Sequence, residues 1–288
     1  MRLVAVVATL GRDKPLAALL ESLSAQSRPV DQIVIVDQNA DDRVQHVLSD
    51  FKDLPIKHIH DPTLRGVNRS RNHGWKNAEG DVFFFPDDDC WYPPETCERA
   101  LGLLTSKNAD VVSGRAAAPD GRTINGRFSM QAGWVDRTSA WFTQIEWIFF
   151  ISGEALEKTG GFDEEIGPGS GTRWGANEVQ DLSLAAISQG YRQYYEPSLI
   201  AHHEEIKLDV VASSDFKRLG QYARGFGYVL GKQNYGYLTL LTWVSRPLVG
   251  AVLSLVKANI TRARLQVLVS FQRWLGYFEG RQQLSVRK

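Results

Sequence analysis

The sequence predicts an α/β fold, a mostly parallel sheet flanked by helices, followed by a helical extension. Three observations carry this. Apolar runs of strand length alternate with helix-spaced stretches over roughly the first 115 residues. Polar residues stand directly after the strand-like runs, at Thr9, Asp37 and Asp87 to Asp89. The chain beyond residue 205 becomes basic and apolar. Strands alternating with helices give a parallel sheet with helices covering both faces.

Residues 3–8 form a continuous apolar run and read as a buried first strand. The run is too short for a secretory leader, and no small-residue cleavage site follows it. Residues 16–25 have helical spacing, and 32–36 (QIVIV) make a second strand. A helix over 44–51 precedes a third strand at 56–60. A helix over 68–77 leads into a fourth strand at 81–85 (DVFFF), and 95–106 and 109–113 repeat the helix–strand alternation. Residues 116–150 are rich in Trp, Phe and Gly and predict antiparallel strands or loops. A Gly-dense loop at 167–175 is followed by a helix with Asn177 as N-cap, Gln180 three residues on, and Gly190 past its end.

The 288 residues give room for one large domain and a short appendage, and the composition is that of an ordinary globular chain. Net charge is zero but unevenly spread. From Lys217 onward there are 12 Lys/Arg and one acid, Glu279, against totals of 33 and 33. The front is thus near −11 and the tail near +11, which assigns catalysis to the front and an anionic partner to the tail. Cys90 and Cys97 make neither a disulfide framework nor a zinc site, and a reducing cytosol is the expected compartment.

The sharpest chemical signal is FFFPDDDC at residues 83–90, an apolar strand running into three acids. Three carboxylates held together are costly unless a cation neutralises them, and oxygen ligands favour Mg²⁺ or Mn²⁺. In extended chain Asp87 and Asp89 point one way and Asp88 the other. A solvated acidic turn before Pro93 and Pro94 is the alternative. Open sheets of this class bind ligands beyond the carboxyl ends of their strands, where these acids stand.

Several stretches resemble family 2 glycosyltransferases in the right order over roughly residues 1–205. They are VVATLGR (6–12), IVIVDQNA (33–40), the Arg-Asn-x-Gly helix running into the acids (66–89), and GGFDEEIG (160–167). The resemblance implies a GT-A type fold and transfer of a sugar, with inversion, from a nucleotide-diphosphate donor to an acceptor hydroxyl. It implies donor contacts at Thr9, Arg12, Asp37, Arg71, Asp87 and Asp88. It also implies a Mn²⁺ or Mg²⁺ site at Asp87 and Asp89, completed by His203. The base that activates the acceptor belongs to NEVQD (177–181), where Val179 stands in place of the usual second acid. Glu178 is preferred, with Asp181 next. Trp174 offers an acceptor-stacking ring.

Residues 237–256 are long enough to cross a bilayer, but Arg246 and Pro247 sit at their centre. Two shorter amphipathic helices broken at that pair are therefore expected, peripheral to an anionic cytoplasmic leaflet of the inner membrane. A cap on the sheet or a dimer contact is the alternative. The expected organisation is a domain at 1–205, with a nucleotide half to about 115 and an acceptor half to 205, and a tail at 206–288. Expected partners are a UDP, GDP or dTDP sugar and a saccharide or lipid-linked saccharide, with no nucleic acid. Cell-surface polysaccharide or glycolipid synthesis is the expected setting. The rivals are a sugar-nucleotide nucleotidyltransferase, for which residues 9–14 (TLGRDK) are a poor opening loop, and a non-catalytic sugar- or lipid-binding protein.

Overall fold

The structure, a computed structural model, describes residues 1–205 and 213–286. It comprises two compact units, Met1–Phe162 with Leu182–Ile206, and Asp163–Asp181 with Lys207–Lys288. The boundary expected at 205/206 abuts residues 206–212, which lie outside the described residues.

The first unit opens with β1 (Leu3–Thr9), α1 (Lys14–Ser24), β2 (Gln32–Asp37), α2 (Arg43–Leu48) and β3 (Ile56–His60). It continues through α3 (Val67–Lys76), β4 (Val82–Phe84), β5 (Cys90–Trp91), α4 (Thr96–Lys107) and β6 (Val111–Ala116). β7 (Gly133–Trp134), β8 (Phe149–Ser152), α5 (Gly153–Thr159), α6 (Glu178–Ser188) and β9 (Gln193–His203) complete the α/β part of the chain. α1 starts earlier than its apolar spacing alone indicates. Asp13 accepts the Lys14 N–H, and Pro15 sits in the first turn, where a missing N–H costs nothing. α6 stops in a Schellman arrangement: Tyr191 N–H donates to the Ala186 carbonyl, Gly190 N–H to Ile187, and Gly190 has φ +90°.

The sheet runs β3-β2-β1-β4-β8-β6-β9-β5, with β7 paired to β9. β1 to β4 pair in parallel, as the helix–strand alternation requires. β8 enters antiparallel between β4 and β6, so the sheet is mixed beyond β4. The segment joining β6 to β8 contains short 3₁₀ turns and no α-helix, and without a crossover helix the returning strand runs antiparallel.

Both faces of the parallel strands are covered. Leu3, Ala5 and Val7 share a core with Leu16, Leu19 and Leu20 of α1 and with Leu101 and Leu104 of α4. On the other face α3 lies against β1 and β2 through Gly74, where an added Cβ would meet Val6 Cγ1 at 2.4 Å. Register does the positioning: Thr9 pairs with Asp37, Asp37 with His60, and Ala8 bridges to Asp87. The polar residues that end these strands therefore share one edge of the sheet.

The second unit carries α7 (Ser213–Lys232), α8 (Tyr237–Val256) and α9 (Ile260–Val286). α7 and α9 run parallel and meet backbone to backbone. A Cβ at Gly227 or Gly231 would lie 2.0 Å from the carbonyl oxygen of Arg273 or Tyr277. At Gly276 or Gly280 it would lie 2.1 Å from that of Arg224 or Tyr228. Each helix thus carries a Gly-x-x-x-Gly stripe, which permits an approach that larger residues forbid.

α8 corrects the expectation of two helices, because it runs unbroken through Pro247. An interior proline leaves the carbonyl four residues back without a donor. Here that carbonyl belongs to Trp243, and Arg273 Nη1 of α9 donates to it at 2.8 Å. Ser270 Oγ donates to the next carbonyl, Val244, at 2.8 Å. The tertiary partner supplies what the proline removes.

Candidate active site

The acidic turn follows the buried aromatic strand β4 and lies at the carboxyl edge of the sheet. Its three aspartates are held differently. Asp88 is buried; Thr9 Oγ1 donates to it at 2.7 Å and Arg12 Nη1 at 2.9 Å. Burial pushes its carboxyl up to about 6, against the pull of Thr9 and Arg12. Asp87 accepts from Arg71 Nη2 at 2.7 Å, and Arg71 is only 2% exposed. The Arg71 guanidinium also lies 5.3 Å from the Phe162 ring centroid. Asp89 meets both Arg12 and His203, whose Nε2 stands 3.1 Å from Asp89 Oδ1.

His203 arrives from the end of β9, which pairs with the short β5 that follows the acids. Burial works against charge on its ring, but the bond to Asp89 and the one to the Glu204 carbonyl prevail and raise it to about 9. Burial likewise opposes charge on Asp89, and His203 and Arg12 bring its carboxyl below the usual range. The ring stacks on Trp147, centroids 5.0 Å apart.

One ligand atom each from Asp87, Asp89 and His203 lies within 4.8 Å of the others. Two carboxylates and an imidazole in that space fit a hard or borderline divalent ion such as Mn²⁺ or Mg²⁺.

Asp37 ends β2 on the same edge and is buried. Its Oδ1 accepts from the Asn39 backbone and side chain at 2.9 and 2.8 Å, and its Oδ2 lies 3.1 Å from His58 Nε2. Asn39 Oδ1 in turn accepts the Gly11 N–H at 2.6 Å, which ties the loop after β1 to the loop after β2. His60 Nε2 reaches the Asn39 carbonyl at 2.8 Å. Asn39, His58, His60 and Trp147 were not singled out from the sequence. The signal for the two histidines was present: alternate positions of β3 put them on one face, ending beside Asp37.

The remaining expected residues belong to the second unit. Glu178 is buried at the start of α6, and a Cβ at Gly167 would come within 3.1 Å of its carboxylate. Gly167 has φ +93°, so only glycine satisfies both demands there without strain. Asn177 also has positive φ, and its Nδ2 donates to Gln180 Oε1 at 3.1 Å, so the expected pair meets side chain to side chain. Asp181 is committed: Lys232 Nζ lies 2.6 Å from its Oδ2 and Gln233 Nε2 donates to its Oδ1 at 2.8 Å. Lys232 also bonds Asp163 at 2.5 Å, and the two acids hold its charge despite burial. Trp174 stacks one face on Tyr228 at 3.7 Å and donates its indole N–H to Glu279 at 2.8 Å. The structure thus gathers Thr9, Arg12, Arg71, Asp87, Asp88, Asp89 and His203 into one cluster, with Asp37 at a neighbouring strand end.

Comparison with known proteins extends this. A protein of Haemophilus influenzae described as an uncharacterized glycosyltransferase is 34% identical over 99 residues, 34% of this chain and 33% of that protein. The glucosyl-dolichyl phosphate glucuronosyltransferase of Haloferax volcanii is 30% identical over 42% of this chain and 39% of its own length. The chain therefore matches well under half of either relative. Among solved structures, a mannosyltransferase from Pyrobaculum calidifontis in complex with GDP-Man and Mn²⁺ superposes with a TM-score of 0.64 at 17% identity. It covers 96% of this chain and 87% of that one. Staphylococcus aureus TarS in complex with UDP-GlcNAc gives 0.58 at 18% identity, over 100% and 91%. These two likenesses establish the GT-A type fold. The family model described as glycosyl transferase family 2 matches residues 4–173, more than half of the sequence, from the first strand through the acidic turn to the Gly-dense loop, and the chain belongs to that family.

Proposed function

We propose that this protein transfers a sugar from a UDP, GDP or dTDP sugar to an acceptor hydroxyl, with inversion at the anomeric carbon, during synthesis of a cell-surface polysaccharide or glycolipid. The observation that carries the reading is the convergence of Asp87, Asp89 and His203 at the carboxyl edge of the sheet. Family membership and the sugar-nucleotide complexes of the two structural relatives support it.

Asp87, Asp89 and His203 would hold Mn²⁺ or Mg²⁺, which when bound supplies positive charge to the departing diphosphate. Arg71 fixes the Asp87 carboxylate, and Thr9 and Arg12 fix Asp88, so the turn is organised before donor arrives. Asp37 accepts from the base or ribose of the donor through Oδ2, the oxygen that His58 meets in the free protein. Glu178 takes the proton from the attacking hydroxyl. Asp181 fits that role less well, because Lys232 and Gln233 occupy both of its oxygens.

α8 meets the length and composition of a membrane span, and most of it is exposed. With Arg246 at its middle it suits the plane of an interface better than a crossing. We place the enzyme peripherally on the cytoplasmic face of the inner membrane.

The test is donor hydrolysis by the full chain across UDP, GDP and dTDP sugars, with Mn²⁺, with Mg²⁺ and with EDTA. Nucleoside diphosphate release that EDTA abolishes is expected. Pyrophosphate release, or no turnover even with acceptor saccharides supplied, overturns the reading.

A further inference from the structure

Residues 163–181 carry the proposed base, Glu178, yet they form no helix or strand until α6 begins at that residue. Holding an irregular stretch in one shape costs backbone entropy, so something must hold it.

One face of α7 does so. Gln221, Gly225, Tyr228 and Lys232 follow at spacings of four, three and four residues, which aligns them along the helix. Each meets the stretch. The Gln221 carbonyl accepts the Gly175 N–H at 3.1 Å. Gly225 lies against the backbone of Ala176, whose carbonyl oxygen an added Cβ would meet at 2.4 Å. The Tyr228 ring stacks on Trp174, and the Trp174 carbonyl accepts the Gly167 N–H at 2.8 Å. Lys232 ends the row, with Nζ on Asp163 at the start of the stretch and on Asp181 at its finish.

All three charged side chains are largely buried. Removing the ammonium would leave two carboxylates uncompensated in a poorly solvated place, so the three groups stay together. The pairing ties both ends of the stretch to one atom. What lies between those ends includes the base: Asp181 shares the first turn of α6 with Glu178, and Gly167 lies against the Glu178 carboxylate.

We propose that Lys232 is a positioning residue for sugar transfer, a clasp that joins Asp163 to Asp181 and thereby sets where Glu178 stands. The inference rests on the reading of Glu178 as the base. Thr9, Arg12, Arg71, Asp87, Asp88, Asp89 and His203 belong to the other unit, so loss of the clasp reaches the base and leaves the donor cluster as it is.

The experiment compares Lys232→Met with the parent, both as the full chain, in two measurements. The first is hydrogen–deuterium exchange without donor or metal. Exchange over residues 163–181 is expected to quicken at least about tenfold, with β1 to β4 unchanged. The second is hydrolysis, with Mn²⁺, of the UDP, GDP or dTDP sugar that the parent turns over, water standing in for the acceptor hydroxyl, well below both melting midpoints. A kcat lowered at least about tenfold is expected, with the donor KM within about twofold of the parent's, because a displaced base costs turnover and not donor binding. Asp163→Ala leaves Lys232 paired with Asp181 and the buried charge compensated; it replaces Lys232→Met should that variant not fold, with the same changes expected. The proposal is overturned if residues 163–181 exchange as in the parent, if the loosening spreads evenly over β1 to β4, or if kcat stays at the parental value while the stretch loosens. Exchange needs no donor, so a parent that turns over no sugar nucleotide defeats the glycosyl-transfer reading and leaves exchange to decide the clasp.

Discussion

Asp87, Asp88 and Asp89 are adjacent in sequence and meet three different environments. Asp88 turns into the protein and is absorbed by Thr9 and Arg12. Asp87 and Asp89 remain beside His203 as the candidate ligand set. Converting Asp89 to Asn keeps its shape and removes the charge a divalent ion needs. Asp89→Asn is expected to lower Mn²⁺-stimulated donor hydrolysis by at least about 100-fold, and to lower the melting temperature modestly as well, since Arg12 and His203 lose an ionised partner. The two acids of α6 separate in the same manner. Glu178→Gln should lower transfer to acceptor by about 10²–10⁴-fold and leave the melting curve near that of the parent. Asp181→Asn should cost about 1–3 kcal/mol of stability, because Lys232 and Gln233 lose an ionised partner. Abolished transfer with unchanged stability in Asp181→Asn would assign the base to Asp181 instead. The chemistry of these residues was legible because acids after a strand, or opening a helix behind a Gly-dense loop, are locally encoded. That Trp147 lies under His203 was not, because that contact joins segments far apart in the chain.

At the scale of elements, the strands β1 to β4 followed from alternation, and their register put Thr9, Asp37 and Asp87 on one edge without further help. The helical tail was read less well. Pro247 predicted a break, and the break is absent because Arg273 and Ser270 take the carbonyls next to it. The two Gly-x-x-x-Gly stripes stand plainly in the sequence, yet they signify packing only once α7 and α9 are known to face each other. They yield a sharp contrast. Gly276→Leu drives a side chain into the Arg224 carbonyl and should cost about 3 kcal/mol or more, read as a collapse of the thermal midpoint. Gly102→Ala in α4, where an added Cβ meets nothing within 4 Å, should instead raise stability by about 0.5–1 kcal/mol. If both variants melt alike, the close approach of α7 and α9 is not what holds the helical unit together.

Over the whole molecule the charge asymmetry runs along the chain, acidic to residue 216 and basic beyond it. The acidic front carries the candidate metal cluster, and the basic tail presents an apolar surface in which Leu238 is 82% and Val256 80% exposed. Hydrocarbon beside unpaired cations is the signature of an interfacial surface. The full chain should sediment with vesicles rich in anionic lipid and far less with neutral ones, the difference shrinking as ionic strength rises past the physiological range. Val252→Asp with Val256→Asp should weaken that binding by about tenfold or more, and equal sedimentation of parent and variant would remove the membrane from the account.

What the sequence determined alone was the alternation of strands and helices over roughly the first 115 residues, the membership of the parallel layer β1 to β4, and the identity of the acids that end it. Those properties rest on periodicity, capping and turn chemistry, which act over a few residues. The tertiary structure alone decided that β8 enters antiparallel, that Trp147 lies under His203, that Asp181 is taken by Lys232, and that α8 survives its proline. Each of these depends on which distant group supplies a hydrogen bond, a charge or a wall, and no local window of sequence names that partner.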